Sequence, residues 1–148
     1  MGRRDWGTSV ELSISWSAVV VAIVVGMAIA WVWYSDWGLV GGIWRQLTGV
    51  TEEDSARAGK VPFVVLVVSI VVTALVLAVA SSIASGFFGS DSSWVALAVG
   101  LFAWLGFSLS TLAQHNGFEQ KPGRLTVING VYQLVLFLGM AVPIGLLQ

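Results

Sequence analysis

Residues 61–90 read VPFVVLVVSIVVTALVLAVASSIASGFFGS, thirty residues without a charge between Lys60 and Asp91. A helix needs about 20 apolar residues to cross the hydrocarbon core of a bilayer. This run exceeds that length, and it lacks the apolar–polar alternation of a barrel strand. In lipid every backbone N–H and C=O must be paired within the protein, which a single segment achieves only as a helix. Pro62 stands at the start of the run, where a missing N–H is harmless. The stretch therefore predicts a membrane-spanning helix.

Working outward, charges fall in clumps separated by three more such gaps. Glu11 to Asp36 encloses 24 uncharged residues, Asp91 to Glu119 encloses 27, and 24 follow Arg124. All are rich in Val, Leu, Ala, Ile and Phe. The expected fold is all-α: one transmembrane domain over residues 1–148, an integral membrane four-helix bundle. Its helices are expected at 12–34, 61–84, 92–116 and 125–147, with Pro143 bending the last. Composition agrees. The chain is 57% hydrophobic and 10% charged, against roughly 45–50% and 25% in a soluble domain. A net charge of −1 without a basic stripe gives no reason to expect nucleic acid. The absence of cysteine excludes disulfides, thiolate metal sites and thiol nucleophiles.

Arg3 and Arg4 before an apolar stretch ending Ala28-Ile29-Ala30 imitate a cleavable secretory signal. The apolar run continues through Trp31-Val32-Trp33-Tyr34, so a retained first span is expected instead. Between the first two spans, Trp37, Val40, Trp44 and Leu47 recur at helical intervals, which predicts a short interfacial helix over 36–47. Trp31, Trp33, Tyr34, Trp37 and Trp44 would anchor it and the helix end at headgroup depth. Thr51-Glu52-Glu53-Asp54 reads as a helix N-cap followed by acids suited to the positive end of the dipole; no metal site is expected there. The first and third connections carry Arg45, Arg57, Lys60, Lys121 and Arg124, the opposite side only Arg3 and Arg4. Five against two predicts a cell-membrane protein with both termini outside.

Small residues mark expected packing ridges. Ala18, Ala22, Gly26 and Ala30 repeat every four residues in the first span, and Ala74, Ala78, Ser82 and Gly86 do so in the second. Such ridges let helix backbones approach closely in lipid. Chemistry is sparse. Trp104, Ser108, Thr111 and His115 line one face of the third span, and Asn129, Tyr132 and Gln133 one face of the fourth. Both polar faces lie toward the same membrane side and are expected to meet. The expected role is interhelical hydrogen bonding, with a small ligand site as the sharper alternative. His115 is the best single residue for a proton or ligand role, because an imidazole titrates near neutral pH. No carboxylate or cation lies inside a span, which argues against an ion-coupled pump. One histidine without paired carboxylates offers no catalytic set, so neither an enzyme nor a cofactor is expected.

Ala30-Trp31-Val32-Trp33-Tyr34-Ser35, Trp44 and Leu47-Thr48-Gly49-Val50-Thr51-Glu52-Glu53-Asp54 carry a further signal. Trp104-Leu105-Gly106-Phe107, Thr111, Phe118-Glu119 and Leu125-Thr126-Val127-Ile128-Asn129-Gly130-Val131-Tyr132 continue it in order. Together they resemble Domain of Unknown Function family 1761, small membrane proteins, over nearly the whole chain. Asp36-Trp37-Gly38 departs from the aromatic and proline that the family often has there. The resemblance implies a four-helix membrane fold and supplies no activity. Two function classes follow. One is a non-enzymatic protein acting by packing, as a small subunit, partner or homo-oligomer in the bilayer. The other is a carrier or channel for a small neutral or weakly polar solute.

Overall fold

The structure is a computed structural model and describes residues 12–35, 37–90 and 93–148. Helix α1 spans Trp16–Tyr34, starting four residues later than the apolar run suggests. Ser15 is the reason: its hydroxyl accepts from the Ala18 N–H at 3.4 Å and caps the helix. Ahead of it the chain is extended, and the Ser13 N–H donates to Ser82 Oγ at 3.1 Å.

After α1 the chain folds back on the helix it has just left. Leu39 N–H reaches the Val32 carbonyl at 3.1 Å and Val40 N–H the Trp33 carbonyl at 3.3 Å. A Cβ at Gly38 would run into the Val32 carbonyl, and one at Gly41 into that of Ser35. Gly38 and Gly41, which weaken a helix over 36–47, are thus required by the backbone approach, whereas a Cβ at Gly42 would meet nothing within 4 Å. Helix α2 covers only Gly41–Thr48, ending at Gly49 with φ +71°. Trp37 lies before it, 97% exposed in a turn, and Asp36 is outside the described residues. Helix α3, Glu52–Ala58, opens on the expected cap: Thr51 and Asp54 exchange backbone and side-chain bonds in a capping box. The hydrogen bonds from the Thr51 hydroxyl and N–H hold the Asp54 carboxyl below the usual range.

The other spans follow. Helix α4 is Val61–Phe88, one turn longer than expected. The third span runs Ser93–Phe118 in three parts: α5 (Ser93–Ala103), a π-helical turn (Trp104–Leu109) and α6 (Ser110–Phe118). Its expected first residue, Ser92, is outside the described residues. Helix α7 is Gly123–Leu147 and remains helical through Pro143 to Leu147. No strand occurs among the described residues.

Helix α7 is the centre of the bundle. It packs against α1, α4, α5 and α6, and Met140 and Ile144 on it are completely buried beside Ile70 and Leu77 of α4. The ridge Ala18, Ala22, Gly26 and Ala30 lies wholly inside. Ala74, Ala78 and Ser82 are also buried, whereas Gly86 is exposed and Ser85 takes its place in the interior. Helical phase accounts for this: each four-residue step advances about 40° round a helix of 3.6 residues per turn, so by Gly86 the row has turned off the interior face that Ser85 occupies.

A close backbone contact lies elsewhere, between α5 and α7. Ala96 and Gly100 face Ala141 and Gly145, each pair four residues apart. A Cβ on Gly100 would stand 3.2 Å from Ala141 Cβ and from the Phe137 carbonyl oxygen. One on Gly145 would stand 2.8 Å from Ser93 Cα. Ser93 Oγ donates to the Gly145 carbonyl at 3.2 Å across this seam. Where lipid gives no hydrophobic drive between helices, such backbone proximity holds the bundle together.

Candidate functional site: a polar cleft at one end of the bundle

The end of the bundle that carries the first and third connections is not filled. A cleft of about 700 Å³ opens there. Its walls are Tyr34 from α1, Trp44 from α2, Pro62 and Leu66 from α4, Phe107 and Ser108 from the π-helical turn, and Thr111, Leu112 and His115 from α6. Asn129, Tyr132 and Gln133 complete it from α7. All six residues of the expected polar cluster therefore border one space. They do not form the expected network between the third and fourth spans.

Asn129 turns to the first span instead, its Oδ1 accepting from the Tyr34 hydroxyl at 3.0 Å. The third and fourth spans are joined by other groups. Trp104 Nε1 donates to the Gly130 carbonyl at 2.9 Å, and Asn116 Nδ2 to Thr126 Oγ1 at 2.9 Å. Ser108, Thr111, His115 and Gln133 make no side-chain hydrogen bond among the described residues, and His115 is exposed at the rim. Ser108, Thr111 and His115 share the cleft face by ordinary helical spacing, and Phe107 of the π-helical turn borders the cleft beside them.

Aromatic rings form one side of the cleft. Tyr34 meets Tyr132 edge-on with centroids 4.8 Å apart and Trp44 likewise at 5.6 Å. Trp33 packs behind, 6.1 Å from Tyr132. Trp33 and Tyr34 are thus half-buried among the helices, not on the outer surface with Trp31. The reason is their place at the very end of α1, where α7 and α2 both pack. Two buried polar atoms here lack partners: Tyr132 Oη and Trp33 Nε1. An unmade bond at such a group costs about 1–3 kcal/mol. The sequence offered no sign of it, since the spacing of α7 shows which face Tyr132 occupies but not what its hydroxyl meets.

Among the described residues no Asp, Glu, Lys or Arg lines the cleft, His115 stands at its rim, and no three His, Cys, Asp or Glu side chains group as metal ligands. The site is suited to binding by aromatic surface and neutral hydrogen bonds. Four helices long and apolar enough to cross a membrane, packed around α7, define the class: a multi-pass membrane protein built as a helical bundle. The chain belongs to the family described as Protein of unknown function (DUF1761), whose model matches residues 17–145. No curated protein and no solved structure matches it.

Proposed function

We propose that the protein acts by packing within the cell membrane, as a small non-catalytic component whose partner is a second copy of itself. The supporting observation is a stripe on the third span. Gly106, Ser110, Ala113 and Gly117 succeed one another at intervals of four, three and four, and all four are exposed. The Ser110 hydroxyl donates back to the Gly106 carbonyl, so it is satisfied within its own helix. A Cβ at Gly106 or Gly117 would meet nothing within 4 Å. By helical phase the stripe faces away from the cleft. The third span is also the least covered, with 11% of its most apolar window buried against 44% for α7. Two copies related by a twofold axis would bring identical flat stripes together, with no charges to match.

The carrier or channel reading has less behind it. Ile70, Leu77, Met140 and Ile144 fill the centre of the bundle beyond the cleft, so a solute entering it meets an apolar plug. The basic connections favour an orientation with both termini outside.

The chain has no cysteine, so a single Ala113→Cys reports proximity without background. Oxidation in native membranes should give a covalent dimer at twice the 15.7 kDa monomer mass. Val72→Cys, exposed on α4, should remain monomeric, and Gly117→Leu should suppress the Ala113→Cys product. Equal cross-linking at both positions, or none at Ala113, would overturn self-association. An adduct of another mass would assign the stripe to a different partner.

A further inference from the structure

A second surface, independent of the third-span stripe, carries its own inference. We propose that the cleft is a binding site for an uncharged, membrane-soluble molecule with an apolar body and a hydrogen-bonding head. That ligand enters sideways from the bilayer.

Tyr132 is the first reason. It is 5% exposed, lines the cleft, and its hydroxyl has no partner. The neighbouring phenol does not satisfy it, because the Tyr34 hydroxyl is committed to Asn129. Tyr132 lies nine residues into α7, about 14 Å along the helix, which places it well inside the hydrocarbon region. Buried polar groups in folded proteins are nearly always paired; this hydroxyl is shut off from solvent with no partner among the described residues, on a residue that borders the cleft. The side chains of Ser108 and Thr111 on one wall and of Gln133 on the other likewise make no hydrogen bond among the described residues. A ligand head seated between them would satisfy several donors and acceptors at once.

Charge and access define the ligand class. Among the described residues His115, exposed at the rim, is the one acid–base side chain besides the phenols on the wall, and no Asp, Glu, Lys or Arg lines the space. A charged head seated deeper, beside Tyr132, would therefore be desolvated without a counter-ion. The row Trp44, Tyr34 and Tyr132 offers ring surface to an apolar body. The cleft is bordered by Pro62 and Leu66 of α4 and, on the third span, by Phe107, Ser108, Thr111, Leu112 and His115, and the third span packs against α4 mainly through α5. Val61, Phe63 and Val64, next to Pro62 in sequence, and Phe107 are exposed and apolar. Such a border admits a molecule dissolved in lipid. The volume of about 700 Å³ lies within the roughly 300–1,000 Å³ of small-molecule sites.

The test uses the full chain in phosphatidylcholine vesicles with a dibrominated octadecyl alcohol as probe. Bromine quenches indole fluorescence on contact, and Trp44 stands in the cleft wall. Quenching should saturate at low mole fraction, and the saturable part should disappear in Trp44→Phe. Tyr132→Phe should weaken it about 3- to 10-fold, the worth of one net hydrogen bond, while thermal stability stays unchanged or rises because an unpaired hydroxyl is gone. Thr111→Val, at an exposed position, should weaken it in the same direction. The dibrominated fatty acid, ionised, should bind about tenfold or more weakly. Quenching that rises linearly without saturation, or is identical in Tyr132→Phe and Thr111→Val, would overturn the site. Equal binding of the fatty acid would overturn its neutrality. A lower melting temperature of Tyr132→Phe with unchanged quenching would make the hydroxyl structural.

Discussion

Gly145→Ala is expected to destabilise the bundle by about 1–3 kcal/mol, the range for forcing a methyl group into a filled space. The added carbon would stand 2.8 Å from Ser93 Cα and 3.0 Å from Ala96 Cβ. Backbone cannot rotate aside, so α5 and α7 must separate, and the Ser93–Gly145 hydrogen bond goes with them. Gly26→Ala provides the contrast. Its new carbon meets Ile70 Cγ2 at 2.9 Å and Met140 Sδ at 3.1 Å, side-chain atoms that yield more readily than the backbone of Ser93 although both residues are buried. That loss should fall at the low end of the same range, about 1 kcal/mol. Unfolding of both variants in detergent by added denaturing surfactant decides between them. Equal losses would mean that the α5–α7 seam is no tighter than the rest of the bundle.

Met140→Ala should be the most damaging truncation. Met140 is completely buried at the centre, where α1 and α4 both reach α7. In soluble cores Met→Ala costs about 2–5 kcal/mol, combining lost transfer energy with an unfilled cavity. Lipid is as apolar as the core, so the transfer part shrinks and the cavity part remains. A loss of about 1–3 kcal/mol follows. Leu147→Ala, on the exposed end of the same helix, should change little. The same unfolding measurement reads both, and a Met140→Ala variant as stable as Leu147→Ala would contradict the central place of α7.

Four spans are legible in the sequence because the bilayer penalises charge along a whole segment, and a gap between charges needs no tertiary information. The Thr51–Asp54 cap is legible for a similar reason, since its partners are three residues apart. Boundaries set by competition are harder. Ser13, Ser15 and Ser17 are all capping residue types, and spacing alone does not show that Ser15 takes the cap. Small-residue periodicity finds the ridge on α1, but it cannot rank ridges, so the tighter Ala96–Gly100 and Ala141–Gly145 seam is visible only once α5 and α7 are side by side. The polar cluster divides in the same way. Helical spacing places Ser108, Thr111 and His115 on one face and Asn129, Tyr132 and Gln133 on another. Whether two faces touch or stand apart depends on helix tilt and on the π-helical turn, which no spacing encodes. The Tyr34–Asn129 bond joins residues 95 apart in sequence, and its partner choice depends on where α1 ends against α7.

The central claim is a bundle that crosses the membrane four times with the cleft on the side of the basic connections. Single cysteines at Ser55, Ser90 and Lys121, all exposed and all outside the spans, test it in a chain without other thiols. A membrane-impermeant maleimide should label Ser55→Cys and Lys121→Cys from the cytoplasmic side only, and Ser90→Cys from the opposite side only. Labelling of Ser55→Cys and Ser90→Cys from the same side would remove α4 as a span and contradict the account.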